Sequence, residues 1–178
     1  MVPVCCKSKL MEATEYVTSR QRSAADAAPA LLALVLLGML WTLPNTLLGL
    51  LLGAAGLPFG ARVRWQNREL AWVIGRWPWG NGGAITLGNV IVHTGMQLDR
   101  PCQTYAQRAG RCGGPRISLA AHERAHVYQY LLFGPLFLPL YLLCGGVSVR
   151  NRFERAADHY ALYCVGWNPW SADALSAD

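Results

Sequence analysis

Residues 122–126 read His-Glu-Arg-Ala-His, the densest set of chemically useful groups in the 178-residue chain. Two histidines four residues apart on a helix project from one face, so both rings can reach one ion. Glu123 sits one position along, where its carboxylate can reach a water on such an ion without binding the ion itself. This is the H-E-x-x-H arrangement, in which two neutral imidazoles hold zinc and the glutamate acts as general base. The opposing reading is a polar helix face whose histidines only hydrogen-bond. A catalytic zinc needs a third protein ligand and keeps its fourth position for water. Glu154 and Asp158, also four apart on one helical face, are the candidates for that ligand. Against Glu154 stands the pattern Asn151-Arg152-Phe153-Glu154, a capping box in which the glutamate only satisfies backbone donors. His159 lies about 140° around the helix from Glu154, which favours an interface role, or support of the ligands, over binding the ion itself. His93, near the end of a strand, reads as a cleft residue or as half-exposed structure. Tyr128, Tyr130, His93 and His159 all stay open as the group that would stabilise an oxyanion.

Elements must bring these groups together. Ser118 can cap a helix from Leu119 to about Phe133, which Gly134-Pro135 ends. Asn151 opens a last helix from Arg152 to about Val165, closed by Gly166 and Pro169. Between them, Leu136–Val147 is apolar and interrupted by Pro139. If Glu154 is to meet the two histidines, residues 133–149 cannot cross a bilayer once and must return to the same side. Upstream, Arg62–Gln66 and Glu69–Ile74 read as two strands turning at Asn67-Arg68, and Ala84–Thr94 as a further strand. Gly95–Arg116 reads as loop.

The most conspicuous segment is Ala28–Gly60, thirty-three residues without an ionisable side chain. Pro44 and Asn45 divide it into halves that, as helices, each reach roughly 21 Å, short of a hydrocarbon core of about 30 Å. A kinked span, a hairpin of two short spans and a re-entrant loop are all open. No small-residue cleavage pattern follows Leu43, so the segment reads as an anchor. Residues 1–27 are expected to form a mobile polar arm, and 61–178 a small metal-binding domain whose segment 133–149 faces the membrane. The chain is 53% hydrophobic and only 15% charged, which points to a protein partly dissolved in lipid. Between Arg62 and Arg116 lie eight arginines against Glu69 and Asp99. This charge follows an apolar segment, so it is read as juxtamembrane and cytoplasmic, facing anionic headgroups. No nucleic-acid-binding motif accompanies it. None of the six cysteines forms a C-x-x-C pair, which argues against a zinc ribbon. Cys102 and Cys112 could bridge in an oxidising compartment and would stay reduced in the cytoplasm.

The stretch from His122 to Gln129, the later Asn151-Arg152-Phe153-Glu154-Arg155-Ala156 and the upstream Leu43-Pro44-Asn45-Thr46-Leu47-Leu48-Gly49 are together similar to a family of small bacterial membrane-associated proteins. The histidine pair with the later E-x-x-x-D, Glu154 to Asp158, resembles the gluzincin, or thermolysin-like, branch of zinc metallopeptidases. The resemblance implies that Glu154 is the third ligand and that Asp158 accepts a hydrogen bond from a liganding histidine's free ring nitrogen. It also implies a peptide or protein substrate, bound along an edge strand for which Ala84–Thr94 is the candidate. No particular substrate is specified, and the oligomeric state is left open.

The expectation is therefore an α+β protein: an N-terminal membrane hairpin or kinked span, a small antiparallel sheet, and a zincin-like helix pair carrying HExxH and ExxxD. The expected function is that of a zinc-dependent hydrolase, a metallopeptidase, at the bacterial inner membrane with its active domain on the cytoplasmic face. The second reading is a structural zinc that staples the last two helices, closed by Cys102, Cys112 or Cys164. The third is a lipid- or protein-interaction module with a vestigial motif.

Overall fold

Four short runs of strand-forming residues build the sheet that carries the site. The computed structural model describes residues 28–80 and 82–171; the polar arm expected over 1–27 lies outside them. Two units divide the chain, Met1–Leu37 and Gly38–Asp178, and the described part of the first is helical. The strands are β1 (Arg62–Gln66), β2 (Ala71–Gly75), β3 (Ala84–Leu87) and β4 (Val90–His93), arranged β1-β2-β4-β3.

The sheet is mixed, which corrects the expected antiparallel one: β1 and β3 pair antiparallel with β2 and β4, but β2 and β4 run parallel. Burial explains the order. All four residues of β4 are buried, as suits a strand covered on both faces, so the β3–β4 hairpin docks through its second strand. The single strand expected over Ala84–Thr94 is in fact this hairpin. Gly88 turns it at φ 60°, and a side chain there would run into Thr46. Residues 95–116 are less irregular than expected. They contain β5 (Pro101–Cys102), paired with β6 (Ile117–Ser118), and the short helix α3 (Tyr105–Arg108), which Thr104 and Gln107 close with a capping box.

Helices cover both faces. Helix α1 (Ala28–Trp41) ends one residue before α2 (Leu43–Ala55), whose first turn holds Pro44, where a missing N–H costs nothing. α2 lays its small residues on the sheet: a side chain at Gly49 would meet Val90, and one at Gly53 would meet Ile74. Its polar residues act as latches. Asn45 donates to the Gly134 carbonyl at 3.0 Å, and Thr46 Oγ1 accepts from the Asn89 amide at 3.0 Å. Leu43, Leu47, Leu48 and Leu51 are left exposed on the other side.

The opposite sheet face packs α4 (Leu119–Phe133), with Val73 and Ile91 against Leu119, Ala120 and Val127. Ser118 caps α4 as expected, its Oγ accepting from the Ala121 amide at 3.2 Å. α5 (Phe137–Leu143) follows a short turn and seats Phe137 between Tyr130 and Phe153. α6 (Arg152–Tyr163) packs on α4 through Ala125, Ala157 and Tyr160. α6 stops two residues before the expected Val165, because Cys164 takes a left-handed conformation at φ 61°.

The α4–α5 stretch, Leu119–Leu143, is 25 residues long and apolar enough to cross a membrane, and α1 with Leu43–Phe59 is so when the two are taken together. α4 nevertheless buries Glu123, Arg124 and both histidines of its motif against the sheet and α6.

Candidate metal centre

Helical spacing puts His122 and His126 on one face of α4, with their Nε2 atoms 3.2 Å apart. Asn151 starts α6 where Glu154 comes to meet them. Its Oδ1 accepts from the Phe153 amide, while its Nδ2 donates to the carbonyls of Tyr141 and Gly146, at 3.0 and 2.7 Å. One buried amide thus begins α6 and ties it to the end of α5. The return expected for residues 133–149 is made here. Glu154 does not cap its helix. Its Oε2 lies 3.1 Å from His122 Nε2 and 3.3 Å from His126 Nε2, and Tyr141 donates to its Oε1. All three residues are buried, and the group can hold a metal ion.

The hydrogen bonds behind the triad determine what its front presents. Gln129 donates through Nε2 to the carbonyls of Phe153 and Trp167, so its Oε1 is the acceptor that meets His126 Nδ1 at 2.8 Å. His126 Nδ1 therefore carries a proton and Nε2, in the neutral ring, a lone pair. His122 Nδ1 faces Asp158 Oδ1 at 3.0 Å, within ion-pair distance although without good hydrogen-bond geometry, so that carboxylate favours a proton on Nδ1 when Nε2 is a ligand. Asp158 is itself held by the Tyr105 amide, 2.7 Å from Oδ2. With both Nδ1 atoms protonated, three acceptors, two imidazole nitrogens and a carboxylate oxygen, face one another with no donor among them. Such a cluster can hold a cation at its centre. Ligands about 2.0–2.1 Å from a tetrahedral ion lie about 3.3 Å from each other, and the three separations match that edge.

Without an ion, the surrounding charges favour a proton in that place. Burial works to lower the pKa of His122, but Asp158 and Glu154 outweigh it and hold the value well above 6.5. His126 is raised in the same way, burial being overcome mainly by the Glu154 charge. Burial would raise the Glu154 carboxyl, yet both histidines hold it well below the usual carboxylate range.

A cleft of about 190 Å³ opens on the triad, lined by the edge strand β3, by Tyr105, Glu123, Tyr130 and Tyr141, and by Phe137, Leu138 and Val147. Glu123 is buried beside the histidines, and the Thr86 hydroxyl of β3 donates to its Oε2 at 2.6 Å. Of the four groups considered for an oxyanion, only Tyr130 lines the cleft, and its buried hydroxyl has no partner among the described residues. His93 lies within the sheet at 1% exposure, Tyr128 packs on Tyr160 and Trp167, and His159 meets the Val165 carbonyl. The hydroxyls of Tyr105, Tyr130 and Tyr141 are all pushed well above 10 by burial, with the Glu154 charge adding at Tyr105 and Tyr141. They remain neutral donors. Cys102, Cys112 and Cys164 are free thiols, and among the described residues no cysteine joins the triad.

Thr86, Tyr105, Gln129 and Tyr141 were not anticipated. Gln129 alone had a local signal, three residues after His126 on the same helical face. The others arrive from distant elements. No family model, curated protein or solved structure matches this chain.

Proposed function

We propose that this protein is a membrane-associated, zinc-dependent peptidase whose metal is held by His122, His126 and Glu154. The observation that carries the reading is the donorless ring of three acceptors at tetrahedral spacing, with a general-base candidate beside it and a cleft in front. Two imidazoles and one carboxylate, without a thiolate, are the donor set of catalytic zinc sites, whereas closed structural sites favour cysteine. The α4–α6 pair, with Glu154 facing the histidines and Asp158 behind one of them, supports the zincin-like and gluzincin-like reading.

Zinc at such a site polarises a carbonyl and lowers the pKa of a bound water toward about 7. The chain supplies the rest. Glu123 is oriented by Thr86 through one oxygen, leaving the other to take a proton from the nucleophile and return it to the leaving amine. Tyr141 fixes Glu154 from its far oxygen, and Gln129 and Asp158 fix the two rings. Tyr105 and Tyr130 offer neutral hydroxyls to a developing oxyanion. Among the described residues β3 has one edge unpaired in the sheet, and it lines the cleft, so an extended peptide can pair with it. The exposed leucines of α1 and α2 and the arginines that follow support a place at the bacterial inner membrane, with the metal domain on the cytoplasmic face.

The test is cleavage of a peptide library by zinc-loaded, detergent-solubilised protein, read by mass spectrometry. Glu123→Gln should keep the metal and slow cleavage by about 10²–10⁴-fold. Equal cleavage by wild type and Glu123→Gln would refute the assignment, as would a zinc-loaded wild type that cleaves nothing.

A further inference from the structure

Three arginines converge on a second cavity, at the sheet edge opposite β3. It measures about 130 Å³ and is lined by Arg62, Arg64, Val73, Gly75, Arg76 and Met96. The register of β1 and β2 explains the grouping. Arg62 stands opposite Gly75 and Arg64 opposite Val73, so both side chains leave the same face, and the His93 ring fills the space that a side chain at Gly75 would take. Arg76 follows directly at the end of β2. No carboxylate lines the cavity, and no ion pair of these three arginines forms among the described residues. Like charges gathered without a counter-ion repel one another and invite an anion.

Arg76 adds an independent observation. Its φ is 58°, in the left-handed region that a side chain disfavours and glycine accepts freely. A charged side chain is thus carried at a position where the backbone alone would favour glycine.

The other face of the same two strands indicates where the anion comes from. Val63, Trp65 and Trp72 leave it exposed, with Trp65 and Trp72 in edge contact at 5.4 Å. That is the face α2 covers, through Ile74 and Val90, and α2 in turn exposes its leucines. Phe59 and Trp79, also exposed and in contact at 5.1 Å, lie close by in the chain. Aromatic rings beside an apolar helix, with arginines on the reverse, fit the water–lipid boundary, where phosphate groups are found.

We propose that Arg62, Arg64 and Arg76 form a binding site for the phosphate of an anionic phospholipid. The site shares no lining residue with the metal cleft and rests on the membrane placement proposed above, not on the metal. Guanidinium groups suit it because their planar forks bind phosphate oxygens in pairs.

The full-length chain in neutral detergent is titrated with short-chain phosphatidic acid, short-chain phosphatidylcholine and inorganic phosphate, and binding is followed by tryptophan fluorescence. Phosphatidic acid should bind saturably, and the other two at least about tenfold more weakly. Arg76→Gly, which suits the backbone, and Arg62→Gln with Arg64→Gln should each weaken it about tenfold or more and leave zinc content unchanged. Unaltered affinity in Arg76→Gly and in the double variant would overturn the site. Equal binding of phosphatidylcholine would overturn recognition of the anion, and equal binding of inorganic phosphate would overturn the lipid as its source.

Discussion

His93 should make the folded protein sensitive to acid, by an amount that follows from its surroundings. The ring lies on the central strand β4 at 1% exposure, with Nδ1 buried and without a hydrogen-bond partner among the described residues. Burial, followed by the charges of Arg100 and Arg64, lowers its pKa from 6.5 to about 4. The folded-state value is depressed, so above pH 6.5 both states hold a neutral ring and nothing is lost. As the pH falls from 6.5 to about 4, the unfolded chain takes up a proton that the folded chain refuses. Stability is lost across that window and the loss levels off below it. A shift of about 2.5 units corresponds to about 3 kcal/mol at about 1.36 kcal/mol per unit. The assay is urea unfolding of wild type and His93→Gln between pH 7 and pH 4. The histidines of the metal centre titrate in both proteins, so the difference between the two curves isolates His93. The variant should be the less sensitive to acid by about 3 kcal/mol. Parallel curves would show that His93 is protonated as readily folded as unfolded, and would refute the reasoning.

Other outcomes follow from the same contacts. Zinc affinity should fall about tenfold per pH unit on acidification below the raised histidine values, because the proton shared by His122, His126 and Glu154 must leave first; competition with a chromophoric chelator measures it. Thr86→Val should leave zinc bound and slow hydrolysis about tenfold or more, since the hydroxyl that orients Glu123 is gone. Gly49→Ala should cost about 1–3 kcal/mol in urea unfolding, because the new methyl meets Val90 Cβ at 2.7 Å and the Leu87 carbonyl at 2.9 Å. Gly83→Ala, with nothing within 4 Å, is the control and should change stability little.

The parts of the site that one helix can encode were legible in the residues. Ser118 and Gly134 bound α4 where expected, and Asn151 begins α6, because capping chemistry is local. The competing roles of Glu154 were not separable from sequence. Capping and approach to the histidines use the same residue, and the choice depends on how α5 returns the chain. Sheet order was likewise hidden. The parallel pairing of β2 with β4 joins residues across a connection and a hairpin, and no local pattern marks it. The Gly88-Asn89 turn did carry a signal, since Gly followed by Asn between apolar runs marks a hairpin. Pro44 and Asn45 looked like a break in an apolar segment, whereas Asn45 and the following Thr46 are buried latches onto distant backbone groups.

Metal content most directly tests the central claim, that the three acceptors exist to hold one ion. Elemental mass spectrometry of detergent-purified wild type, His126→Ala and Glu154→Ala should give about one zinc per chain in wild type and a sharp fall in both variants. A wild type that binds no metal after reconstitution, or a Glu154→Ala protein that binds it undiminished, would contradict the account.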